Sequence, residues 1–263
     1  MPFTPSHAVV ALPFVRTPLL PAAIAVGAMT PDLPLFVRGT PVTYQTTHTN
    51  LVLSTAIALV LLALWCAVLR PAVRELSPLW LARRLPAEWD RGALVAPEWW
   101  SRRGVAVSAA ILVLSLLLGV LSHIVWDAFT HEGRWGVALV PALESSWGPL
   151  PGYKWMQYAS SVGGLAILAI CAALWLRRRT PAPAQGRVFP GAVRWVWWLS
   201  LPVALVAALA IGYVIYGPFG PTWTFQHLAY RVLPPTCAAW GVVTIALAAT
   251  IAVIVTRRGR ADR

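Results

Sequence analysis

The chain has 263 residues, 58% of them hydrophobic and 11% charged, with a mean hydropathy of +0.67. Soluble domains carry roughly 25% charged residues, so the composition excludes an ordinary soluble protein and predicts an all-α, polytopic membrane protein. The formal charge of +12 is gathered into a few segments that suit an anionic lipid surface, so membrane lipids are the expected partners and nucleic acid is not.

In chain order, residues 6–30 are apolar, but Pro13, Pro18 and Pro21 interrupt them and Arg16 sits in the middle. They form either one kinked span, giving six in all, or a hairpin of two short helices, roughly 6–15 and 20–30. A ten-residue helix reaches only about 15 Å, half of the hydrocarbon core. The hairpin is preferred because it keeps His7 and Asp32 on the side of the other polar residues. The N-terminal run lacks a basic leader and a small-x-small cleavage site, so the first full span is expected to serve as the insertion signal.

Five runs are long enough to cross a bilayer: 50–69, 104–126, 158–176, 195–217 and 236–256. None contains Asp, Glu, Lys or Arg, and only the second contains a His. Together they predict a single integral membrane domain. Lys and Arg number seven in 70–103, five in 177–194 and four in 257–263, whereas the alternate connections hold only Arg38, Arg134, Lys154 and Arg231. This asymmetry places the C-terminus and the basic segments in the cytoplasm, with the chain in the cytoplasmic (inner) membrane. Residues 70–103 mix Arg with Trp80, Trp89, Trp99 and Trp100, which suits a segment lying on headgroups; 177–194 reads as a basic linker. Cys66, Cys171 and Cys237 each fall inside a span and read as small buried residues.

The segment Ser122-His-Ile-Val-Trp-Asp-Ala-Phe-Thr-His131 spaces His123, Asp127 and His131 by four, which sets imidazole, carboxylate and imidazole along one helix face. Such groups at a membrane helix end are costly unless paired, solvated or bound to a cation. The charge asymmetry places His48, His123, Asp127 and His131 at the extracytoplasmic edge, and His227 in a loop on the same side. Imidazole with carboxylate suits zinc, with manganese or iron as alternatives. The candidate metal ligands are therefore His7, Asp32, His48, His123, Asp127 and His131. The blander readings are a turn or cap for Asp32, polar helix starts for His7 and His48, a metal-free hydrogen-bond network for the 123/127/131 set, and a loop residue for His227. Glu132, Glu144 and Asp32 are candidates for proton transfer, and Lys154 with Gln157 for holding an anionic substrate group; Lys154 equally suits an interfacial anchor.

Several motifs carry a resemblance. Met1-Pro-Phe-Thr-Pro-Ser-His7, Ala28-Met-Thr-Pro-Asp32, Thr47-His-Thr49, Ser122-His-x-x-Trp-Asp-x-x-Thr-His131 and the Tyr153-Lys154…Gln157-Tyr158 segment resemble an uncharacterised bacterial family of integral membrane proteins, a domain of unknown function. The order of these motifs is similar to that in the inner-membrane metal-dependent hydrolases of the YdjM-like group and, more distantly, in zinc-dependent phospholipase C. The resemblance implies a metal site at His7, Asp32, His48, His123 and Asp127, with His131 added. It covers residues 1 to about 160.

The expected function is a membrane-bound, metal-dependent hydrolase of a phosphoester or lipid-type substrate. A metal with an open position lowers the pKa of bound water toward ~7 and stabilises developing negative charge. The alternatives are a non-enzymatic, metal-stabilised scaffold and a small cation- or proton-coupled transporter. Clustering at one membrane edge counts against transport, which places ionisable groups near mid-bilayer.

Overall fold

The structure, a computed structural model, describes residues 3–89, 103–183 and 187–261, with the side chains of 255–261 left aside. The Trp99 and Trp100 part of the expected interfacial segment and the centre of the 177–194 linker lie outside the described residues. Among the described residues, five helices are long and apolar enough to cross a membrane: Leu51–Leu76, Val105–Thr130, Gly152–Arg177, Gly191–Tyr216 and Phe225–Ile254. Their outer faces are apolar, with Val52, Val162 and Val214 at 81%, 71% and 82% exposure. Surfaces of this kind belong in lipid rather than water. The protein is an all-α polytopic membrane protein.

Contacts divide the chain into two compact units. The first holds Met1–Leu33, Val42–Leu62 and Ala96–Arg179. It opens with a 3-10 helix, Thr4–Phe14, followed by α1, Pro21–Met29. The break between them falls among Pro18, Arg16 and Pro21, where proline removes backbone donors and the chain turns. A short helix, α2 (Tyr44–Thr49), precedes α3 (Leu51–Leu76). Thr43 starts α2 through a capping box: the Thr46 N–H donates to Thr43 Oγ1 at 3.2 Å, and the Thr43 N–H donates to Thr46 Oγ1 at 2.9 Å. Asn50 then starts α3 by accepting the Leu53 N–H at 2.9 Å. Such caps each add roughly 1 kcal/mol and here fix a sharp bend beside His48.

The first unit is completed by α4 (Val105–Thr130) and α5 (Gly152–Arg177). The helix α1 lies along α4, and glycine sets the approach. A Cβ on Gly119 would meet Ile24 O and lie 2.7 Å from Ala28 N, and one on Gly27 would lie 3.3 Å from Gly119 Cα. Small residues let membrane helices pack backbone to backbone. Ile24, Leu116 and Val120 are fully buried in this seam. Gly164 of α5 does the same for the 3-10 helix, since a Cβ there would lie 2.9 Å from Ser6 Cβ.

The second unit holds Pro34–Pro41, Ala63–Val95 and Thr180–Arg263. Here α3 carries a π turn, Trp65–Leu69, just before Pro71. The wider turn accommodates a proline that cannot donate to the preceding turn. At the end of α3, the buried Glu75 accepts the Val188 and Phe189 N–H groups at 3.1 and 3.0 Å and pairs with Arg194 at 3.1 Å. The last two helices, α6 (Gly191–Tyr216) and α7 (Phe225–Ala261), pack at Gly212, where a Cβ would lie 2.8 Å from Leu228 Cδ1.

Three boundaries differ most from expectation. α3 extends beyond 69 because the π turn absorbs Pro71. α5 begins at Gly152 rather than 158, directly after Pro151, which sits at its N-cap. α7 begins at Phe225 rather than 236 and carries Pro234 and Pro235 inside it. Membrane helices tolerate such prolines because neighbouring groups re-satisfy the freed carbonyls.

Candidate metal centre

Four segments of the first unit converge on one point. The first contributes Asp32, fully buried at the end of the Thr30–Asp32 turn that continues α1. The turn is tied to α2 because the Thr47 hydroxyl donates to Pro31 O at 2.7 Å. Asp32 Oδ2 accepts the Thr4 hydroxyl at 2.7 Å, which also anchors the start of the 3-10 helix. The second segment, α2, contributes His48, whose Nδ1 lies 2.8 Å from Tyr44 O. From α4 come His123, whose Nδ1 lies 2.7 Å from Ala28 O, and Asp127, whose Oδ2 accepts the Tyr44 hydroxyl at 3.0 Å. The fourth segment, the 3-10 helix, contributes His7, stacked on His123 with ring centroids 4.1 Å apart.

These contacts fix the tautomers. A backbone carbonyl only accepts, so Nδ1 carries a proton in His48 and His123, which leaves each Nε2 to face the centre. His48 Nε2, His123 Nε2, His7 Nε2, Asp32 Oδ1 and Asp127 Oδ1 are all buried without a hydrogen-bond partner. One orphaned buried atom is already costly; five around a single point call for a common partner.

Distances identify what kind of partner fits. His123 Nε2 lies 3.4 Å from Asp127 Oδ2 and 3.6 Å from Asp32 Oδ1, His48 Nε2 lies 3.6 Å from Asp127 Oδ2, and His7 Nε2 lies 3.7 Å from Asp127 Oδ1. Hydrogen bonds from nitrogen to oxygen are typically shorter than about 3.2 Å. Two ligands each ~2.1 Å from one tetrahedral ion, however, sit ~3.4 Å apart. Asp32, His48, His123 and Asp127 each offer one ligand atom within 4.8 Å of the others. This buried group could hold a metal ion.

Charge supports the fit. Among the described ion pairs, those of Asp32 and Asp127 are all with histidines. Burial, reinforced by His123, pushes His7 down to about 3, so its ring is neutral. Burial pushes the Asp32 carboxyl up from its ordinary value. Two buried carboxylates facing one point in a dry interior favour a cation there, and a divalent ion would satisfy both. Burial with Asp127 alongside pushes the Tyr44 phenol far up, which keeps it a donor.

The remaining sequence candidates fall around this set. His131 ends α4 with its Nδ1 3.6 Å from Asp127 Oδ2, but Nδ1 also lies 3.1 Å from Asp127 O, and Nε2 accepts the Gln157 amide at 3.3 Å. Burial pushes His131 down to about 4. Lys154 donates to Gln157 Oε1 at 3.2 Å, so this pair buttresses His131 from behind. Glu132 is exposed and accepts the Tyr153 hydroxyl at 3.2 Å; Glu144 is exposed on the segment after Pro141–Leu143, and neither belongs to the buried ligand group. His227 lies in the second unit, where its Nδ1 accepts the Thr224 N–H at 3.2 Å.

Sequence reasoning missed Tyr44, Thr4, Thr47 and the Ala28 carbonyl. Tyr44 was detectable, because it sits four residues before His48 and so on the same helix face. Thr4 and Thr47 lie inside the quoted motifs, but nothing local marks a hydroxyl that bonds across the fold.

The chain belongs to the family described as Domain of unknown function (DUF4184), which matches residues 1–255. No curated protein and no solved structure matches the chain.

Proposed function

We propose that the protein is a membrane-embedded, zinc-dependent hydrolase that cleaves a phosphoester of a lipid-type substrate at the extracytoplasmic edge of the cytoplasmic membrane, with its C-terminus in the cytoplasm. The observation that carries this reading is the convergence of orphaned imidazole nitrogens and carboxylate oxygens at ligand spacing. The order of the motifs, akin to that of the YdjM-like hydrolases, and the basic segments on alternating connections support the reaction class and the orientation.

In this reading Asp32, His48, His123 and Asp127 hold the ion, and His7 faces the same space from the 3-10 helix. A bound divalent ion supplies Lewis acidity and a water of lowered pKa. Ala28 O and Tyr44 O hold two imidazoles in the ligand tautomer, and the Tyr44 and Thr4 hydroxyls aim the carboxylates. Asp32, His48, His123 and Asp127 are buried, and a site kept from water strengthens every charge interaction inside. His7 Nε2, 3.7 Å from Asp127 Oδ1 and without another partner, is assigned to proton transfer. Lys154 is assigned to an anionic group of the substrate, while Gln157, buried and bonded to His131, positions that ring.

One observation favours a metal-stabilised scaffold instead. Four fully or nearly buried donors match the closed coordination of structural zinc, whereas catalytic zinc keeps an open position. Phosphate release from a panel of phospholipids, with zinc-loaded protein in detergent, separates the two readings. Turnover that disappears in Asp127→Ala supports the enzyme. No turnover with zinc fully bound supports the scaffold, and turnover that persists in the variant refutes the assignment of the site.

A further inference from the structure

The His7 ring stacks on His123, and His7 also lines a cavity of about 540 Å³ between the 3-10 helix, α4 and α5. Its walls are Val9 and Val10 of the 3-10 helix, Trp126 of α4, and Met156, Gly163 and Ile167 of α5. Of the three hydroxyls in its lining, Ser122 donates to Gly119 O at 2.7 Å and Ser160 to Gln157 O at 3.1 Å, and the third, on Ser6, adjoins His7. The wall therefore offers a guest almost nothing to hydrogen-bond, except at the His7 end.

Shape and position follow from the packing described above. Residues 122 and 126 sit one step round α4 from 123 and 127, so the ligand face and the cavity face are adjacent. Gly164 brings Ser6 close to α5 and seats the 3-10 helix, whereas Gly163, its neighbour, points at open space with nothing within 4 Å of a Cβ. Both α4 and α5 are membrane spans, so the medium around this cavity is hydrocarbon. Its size falls in the range of small-ligand sites, about 300–1,000 Å³.

We infer that the cavity receives the hydrocarbon chain of an anionic lipid whose headgroup reaches the His7–Asp127 end of the metal centre. The inference rests on the proposed hydrolase and names its substrate class, a long-chain phosphoester. An apolar channel ending in a buried cation site complements an amphiphile with an apolar tail and a negative head. A short, water-soluble phosphoester would leave the channel empty.

The test uses full-length protein in detergent with a phosphatidic acid carrying a diazirine on one acyl chain, cross-linked by light and mapped by mass spectrometry. Wild-type protein should label Val9, Val10, Met156 and Ile167 above the level of lipid-facing Val214 and Val242. Gly163→Phe should fill the cavity, reduce that labelling to the surface level and retain bound metal; Gly163→Leu serves where the larger ring impairs folding. The same variants should lose turnover of the long-chain substrate yet keep that of p-nitrophenyl phosphate. Labelling no stronger than at Val214, or unaffected by either substitution, overturns the inference. Cavity labelling in protein that binds no metal overturns the hydrolase instead and leaves the chain site standing.

Discussion

Tyr44→Phe isolates one oxygen atom. The Tyr44 ring packs on His48 with centroids 3.8 Å apart, and its hydroxyl donates to Asp127 Oδ2 at 3.0 Å. The substitution keeps the ring contact and removes only the donor. A hydrogen bond to a charged group contributes about 1.5–3 kcal/mol. Losing an outer partner of a metal ligand typically weakens binding ~10–100-fold, which is ~1.4–2.7 kcal/mol, so two independent scales agree. The assay is zinc titration against a chromophoric chelator in detergent, with thermal unfolding of the metal-free protein as the control. Zinc affinity should fall by ~10–100-fold, while metal-free stability should drop by no more than the ~1.5–3 kcal/mol of the hydrogen bond itself, because the ring still covers His48. Zinc affinity within twofold of wild type would refute the view that Tyr44 orients a metal ligand.

Two further predictions probe the frame. Gly119→Leu forces a side chain into Ile24 and Ala28, and overpacking of that kind costs about 1–3 kcal/mol. It should lower thermal stability and weaken zinc binding together, since α1 also carries the Ala28 carbonyl that orients His123, while Gly163→Leu should leave stability unchanged. Glu75→Gln removes the charge that pairs with Arg194 and accepts two backbone N–H groups; a loss of about 1–3 kcal/mol is expected. Denaturant unfolding should register that loss, whereas zinc stoichiometry in the folded protein should not move.

The spans were legible because length and hydropathy alone decide what can cross a bilayer, and runs such as 104–126 contain nothing that competes. Their ends were less so. Pro71, Pro234 and Pro235 suggest breaks by local rules, and only the fold provides the π turn and the neighbours that keep α3 and α7 continuous. The candidate ligands His123 and Asp127 were visible through their four-residue spacing, and His48 and Asp32 through the scarcity of ionisable residues. What sequence could not rank was His131 against His7. That depends on Gln157, 26 positions along the chain from His131, occupying one imidazole while His7 keeps Nε2 open. The glycines that seat α1 on α4 were equally silent, since Gly27 and Gly119 acquire meaning only once the two helices meet.

The most direct test is metal analysis of detergent-purified protein under metal-replete conditions, comparing wild type with His123→Ala and Asp127→Ala. Wild type should retain a divalent transition metal, and both variants should lose it. No bound metal in wild type, or unchanged occupancy in both variants, would contradict the account.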